Sequence, residues 1–176
     1  MKLAAVLVLV LAAACAKSEK NVTGSPTPAE TAPAATSAPC TTTAPPTPTM
    51  GADESTTTKP TVTIPDGEPP CKLTSQDIKQ GDGAEAKADS TVTVQYVGVS
   101  WSTKKEFDSS WDRGEPATFP LNRVIKGWQE GIPGMKVGGR RELIIPPDLG
   151  YGPAGQGPDI GPNESLVFVI DLLKVN

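Results

Sequence analysis

The sequence predicts an α+β domain in which antiparallel strands pack by one face against a single short helix and present the other face to water. Three observations carry this. Between residues 72 and 172 several segments alternate apolar and polar residues with the period of two that marks a half-buried strand. Only one segment has helical spacing, and one short helix cannot cover both faces of a parallel sheet, so the strands must be antiparallel. All the aromatics (three Trp, two Tyr and three Phe) lie from Tyr96 to Phe168, so that is where a core can form.

Taken in order, the chain begins with Met1-Lys2 and an apolar run from Leu3 to Ala14. That run is shorter than the roughly 20 residues of a spanning helix and fits a signal peptide over 1–14. It ends Ala12-Ala13-Ala14-Cys15, which resembles a bacterial lipobox with Cys15 as the lipidated residue. The alternative is cleavage after Ala14 or Ala16 with release of a secreted protein. Either way the product lies outside the cytoplasm.

Residues 15–62 read as a disordered tether. They are dominated by Thr, Pro, Ala and Ser, and Val22, Met50 and Val62 are the only large apolar side chains. Such a segment cannot offset about 1–2 kcal/mol per residue of backbone ordering. As a flexible coil it would hold its cargo roughly 35–40 Å from the anchor.

The folded part is expected over 63–176. Strands are predicted at Lys72–Lys79, Thr91–Val97, Thr118–Leu121, Arg140–Ile145 and Ser165–Leu172. The helix is predicted around Val124, Ile125 and Trp128, with Asn122 as N-cap, stopped by Gly131 and Pro133-Gly134. Arg140-Arg141, taken alone, reads as a solvated strand end, and Asp108-Ser109-Ser110 as a turn. Cys40 and Cys71 are an even pair outside the cytoplasm, which suggests a disulfide, with two independent thiols as the alternative.

The composition excludes whole classes of chemistry. Net charge is −4 and the isoelectric point is near 4.9, against a phosphate-neutralising nucleic-acid binder. There is no histidine, so Ser-His-Asp and Cys-His nucleophiles and His-ligated zinc are out. No motif asks for a metal or cofactor. What remains is work done by shape, hydrogen bonds and carboxylates.

Six ordered blocks then narrow the reading. They are Val94-Gln95-Tyr96-Val97-Gly98, Glu106-Phe107-Asp108-Ser109-Ser110, Val124-Ile125-Lys126-Gly127-Trp128, Gly134-Met135-Lys136-Val137-Gly138-Gly139, Ile145-Pro146-Pro147-Asp148-Leu149-Gly150-Tyr151-Gly152 and Asn163-Glu164-Ser165-Leu166-Val167-Phe168. In this order they resemble the FK506-binding-protein (FKBP) class of peptidyl-prolyl cis-trans isomerases across residues 72–175. The resemblance implies a twisted antiparallel half-barrel wrapped around one short helix. It implies a catalytic set of Tyr96, Phe107, Asp108, Tyr151 and Phe168. Val124, Ile125, Trp128, Ile160, Phe119 and Arg113 would bind substrate, with Trp128 as floor and Ile160 at the lip. The Ile125 N–H and the Tyr151 hydroxyl would bind ligand carbonyls. Implied partners are proline-containing polypeptides and macrolides of the FK506 or rapamycin type, bound by a monomer that needs no cofactor and meets the membrane through its lipid anchor alone. Ala117 stands where many members carry an aromatic, which lowers one wall. The competing function is a chaperone-like peptide-binding or surface interaction module with little isomerase activity.

Overall fold

A computed structural model describes residues 40–42, 49–50 and 55–176. They belong to one of the two units into which the chain divides, Ala35–Asn176. The expected signal peptide over 1–14 and the expected lipidation site Cys15 lie outside the described residues.

A two-stranded ribbon pairs β1 (Thr49–Met50) with β2 (Val62–Thr63). The main sheet contains β3 (Thr74–Lys79), β4 (Thr91–Ser100), β5 (Glu106–Ser109), β6 (Ala117–Pro120), β7 (Arg140–Ile145) and β8 (Leu166–Val175). All its pairings are antiparallel, in the order β3-β7-β8-β4-β5. The long strand β4 runs its whole length against β8. Its other edge is shared, Thr91–Val94 pairing with β6 and Val97–Val99 with β5. Strand β5, in the segment expected as a turn, was not foreseen.

The inner face carries the main core. Val92, Val94 and Tyr96 of β4, Leu143 and Ile145 of β7, and Leu166, Phe168, Ile170 and Leu172 of β8 close over Trp128, Ile132 and Leu121. The helix α1 (Lys126–Gly131) lies close on this face because two glycines four apart face the sheet. A Cβ on Gly127 would meet Ile145 Cγ2 at 2.5 Å, and one on Gly131 would meet Leu143 Cδ2 at 2.6 Å. The cap is not Asn122, which sits exposed in a 3-10 turn, Leu121–Arg123. The chain leaves that turn extended through Val124, and Ile125 takes the N-cap position with no side-chain cap.

The outer face is not wet, contrary to the expectation. Val97, Val99, Ile144 and Val167 form a second buried cluster with Ile64 and Trp101, flanked by Val62 and Trp111. The cover is a strap running over 55–70, which moves the start of the ordered domain ahead of residue 63. Residues 55–62 stay in place for identifiable reasons. Lys59 Nζ donates to Glu106 Oε1 at 2.9 Å and to Asp112 Oδ1 at 2.7 Å. The Thr58 carbonyl accepts from Arg140 Nη2 at 3.0 Å. Further along, Trp101 Nε1 donates to the Gly67 carbonyl at 2.9 Å, and a disulfide joins Cys71 to Cys40, with Cα atoms 5.1 Å apart.

Arg140 and Arg141 are also not a solvated strand end. Arg140 is fully buried and grips its cross-strand partner Asp171 with two bonds, Nε–Oδ1 at 2.5 Å and Nη2–Oδ2 at 2.8 Å. Such forked pairing is what a buried guanidinium requires. Arg141, on the other face, pairs with Asp77 and donates Nη1 to the Gly131 carbonyl at 2.8 Å, satisfying the last turn of α1.

Candidate functional site

At the open side of the main core, between α1 and the sheet, lies a cavity of about 340 Å3. Trp128 is its floor, presented by the buried face of α1 and only 4% exposed. Three rings stand nearly perpendicular to the indole. Tyr96 and Phe168 lie 5.3 Å away and Phe119 5.7 Å away, centroid to centroid, at 85–88° between planes. Phe107 meets Phe168 edge-on at 5.5 Å. Edge-to-face geometry is the favoured contact of aromatic quadrupoles, and here it holds three rings around the indole with Phe107 against one of them.

A bulge allows Phe107 and Asp108 to line the cavity together. Alternation along a strand would put consecutive residues on opposite faces. In the β4–β5 ladder, however, Gly98 opposes Asp108 and Val99 opposes Glu106, so Phe107 is the extra residue. Gly98 also makes room for the ring pair, since a Cβ there would meet Phe107 Cζ at 2.7 Å and Phe168 Cε1 at 2.8 Å.

One wall is polar. The Tyr96 hydroxyl donates to Asp108 Oδ2, and Arg113 Nη1 donates to Asp108 Oδ1. Arg113 Nη2 donates to the Tyr96 oxygen at 2.7 Å, and its guanidinium carbon lies 5.4 Å from the centre of the Tyr96 ring. Burial, and then the Asp108 bond, push the Tyr96 phenol up to about 12, so it keeps its proton throughout the neutral range. Burial and the Asp108 charge also raise the Tyr151 phenol. Neither the Tyr151 hydroxyl nor the Ile125 N–H makes a hydrogen bond to a described residue, which leaves two donors at the cavity for a ligand.

The structure brings Tyr96, Phe107, Asp108, Phe119, Val124, Ile125, Trp128, Tyr151 and Phe168 to this one cavity. Arg113 stands behind it, bonded to Asp108 and Tyr96. Ile160 is the exception. It does not form a lip among the lining residues but is buried in the main core, its backbone bridged to Gln156. The 153–162 loop turns back through that bridge, which draws Ile160 inward. Arg123 was missed. It lines the cavity next to Val124, and nothing in the sequence distinguishes it from an ordinary surface cation.

A curved antiparallel sheet closed over one helix thus carries an aromatic cavity with a Tyr–Asp–Arg corner, of a size and lining suited to a small apolar ring. The profile of the FKBP-type peptidyl-prolyl cis-trans isomerases matches residues 83–173, and the chain belongs to that family. It is 56% identical over 116 residues to a probable FK506-binding protein of Corynebacterium glutamicum, covering 66% of this chain and 98% of the relative. It is 48% identical over 103 residues to the FKBP-type peptidyl-prolyl cis-trans isomerase FkpA of Escherichia coli K12, covering 58% of this chain and 37% of FkpA. Among solved structures, Escherichia coli FkpA superposes with a TM-score of 0.56 at 47% identity, over 59% of this chain and 48% of that one. AtFKBP13 superposes with a TM-score of 0.54 at 38% identity, over 59% and 93% of the two chains.

Proposed function

We propose that this family member isomerises X–Pro bonds in the cavity floored by Trp128, with Asp108, Tyr96 and Arg113 as its polar wall. An X–Pro bond turns slowly because amide resonance sets a barrier of about 18–20 kcal/mol. The planar amide is more dipolar than the twisted one, so water stabilises the ground state preferentially. Seating the prolyl ring among Trp128, Phe107, Phe168 and Tyr96 strips that water away. The Ile125 N–H and the Tyr151 hydroxyl then hold carbonyls on either side of the bond, fixing one half while the other rotates. Each ~1.4 kcal/mol taken off the barrier is a tenfold gain in rate, so a few kcal/mol are sufficient. The observation that carries this reading is the convergence of six aromatic side chains and the Asp108 corner on one cavity. A protease-coupled assay on proline tetrapeptides tests it. Turnover far above the uncatalysed rate is expected, and a rate indistinguishable from buffer would sink it.

The clients in this reading are unfolded proline-containing polypeptides outside the cytoplasm, and macrolides of the FK506 or rapamycin type compete for the same cavity. The protein acts as a monomer, held to the membrane by a lipid on Cys15. Support comes from the apolar run ending in Cys15 and the Thr/Pro-rich stretch behind it. No helix among the described residues is long and apolar enough to cross a membrane. Detergent phase partitioning should carry the full chain into the detergent phase and leave Cys15→Ser in the aqueous phase. Equal partitioning of the two would leave the secreted form as the correct one.

A further inference from the structure

The rim of the cavity carries a charge that bond rotation does not use. Among the lining residues, Asp108 is the one carboxylate and Arg123 the one guanidinium. The Asp108 charge is already answered by Arg113. Arg123 is exposed, and it makes no hydrogen bond or ion pair with any described residue. The unbalanced charge of the lining is therefore one positive charge at the edge, in a chain whose net charge is −4.

Its position is fixed from both sides. Leu121 before it is fully buried, with its N–H bonded to the Ser90 carbonyl at 3.0 Å. The Val124 carbonyl after it accepts from Gln129 Nε2 at 2.7 Å. The backbone on either side is anchored, so the guanidinium alone is free to swing over the opening. An arginine with unfilled donors offers a forked pair of N–H groups that matches a carboxylate.

We propose that Arg123 is a specificity-determining residue that favours proline peptides carrying a carboxylate side chain within two residues of the proline. The proposal rests on the isomerase reading of the cavity. An exposed pair of this kind gives about a two- to fivefold preference and weakens as salt screens it. It therefore tunes which clients are turned over first and leaves the reaction itself unchanged.

The test uses the full chain and blocked pentapeptides with central proline that differ only in Glu, Gln or Lys at each of the four positions flanking it. Both kcat/KM and affinity by NMR titration are measured at low and at high salt. For at least one position the Glu peptide should exceed the Gln peptide by about two- to fivefold, with the gap closing at high salt. Arg123→Gln should abolish the preference, and Arg123→Glu should reverse it toward Lys. Ratios between peptides within one variant cancel any general loss of activity. Equal rates for Glu and Gln at every position, or a preference that survives in Arg123→Gln, would overturn the proposal. Absence of turnover on every peptide, the Gln set included, would instead overturn the isomerase reading. The affinity ratios would then still decide for or against Arg123.

Discussion

Asp108 and Trp128 share one cavity, yet their replacement should separate binding from turnover. Trp128→Leu keeps an apolar floor and loses no hydrogen bond, because the indole N–H is buried without a partner among the described residues. The loss is then contact area and shape, on the order of 1–2 kcal/mol, seen as weaker peptide affinity. Asp108→Val removes the acceptor shared by Tyr96 and Arg113. Turnover should fall while peptide affinity stays within a few-fold, the signature of a group that acts on the twisted state. If both variants isomerise at the wild-type rate, the site is misassigned. A third residue, away from the cavity, should make stability depend on pH. Glu142 of β7 is 3% exposed, with Oε2 unpartnered. Burial raises its carboxyl from an ordinary 4.5 to about 7. The fold therefore prefers the protonated form, and stability should decline as pH rises from about 4.5 to about 7 and stay level above that. Glu142→Gln should relieve a penalty of roughly 3 kcal/mol at pH 8 and almost none at pH 4. Thermal unfolding across this range checks the sign. Turnover should stay flat between pH 6 and 8, because the chain has no histidine and Tyr96 titrates far higher.

At the scale of elements, the strap over 55–62 is the part whose contribution the sequence hides. Shortened chains starting at residue 55 and at residue 63, both with Cys71→Ser, isolate it. The longer should be more stable by about 1–3 kcal/mol, or roughly 5–10 °C in Tm, because it keeps Val62, the Lys59 bridge and the Thr58 carbonyl. Equal melting temperatures would mean the strap is decoration. Both chains should remain active, since every cavity residue lies beyond position 95. The five predicted strands are all present, four of them because alternation over six to ten residues is a strong local signal. The cavity was legible through ordered motifs, which single residues would not have revealed. What stayed hidden was set by partners distant in sequence. β5 is four residues with a bulge, too short and too irregular for a period to show. Thr58 and Lys59 sit in polar sequence and bond to the distant residues Arg140, Glu106 and Asp112. Arg140 looks solvated until Asp171 stands opposite it.

For the whole molecule, nearly all the sheet's pairing joins residues far apart in sequence, a topology that folds slowly. Strand β8 (Leu166–Val175) is in the middle of the sheet, flanked by β4 on one side and β7 on the other. It supplies Leu166, Phe168, Ile170 and Leu172 to the core, and Asp171 to the buried Arg140. A chain ending at Ser165 keeps the helix, the strap and nine of the ten residues that line the cavity, but lacks the strand that joins them. Such a chain should show no cooperative thermal transition and should be digested quickly by protease. The consequence is one of timing during synthesis. Polypeptides emerge from the ribosome N-terminus first, so the edge of β4 that pairs with β8 stays open while everything up to Ser165 is made. Until residue 175 is free, the inner face of the sheet has no β8 to close it, and the core stays open.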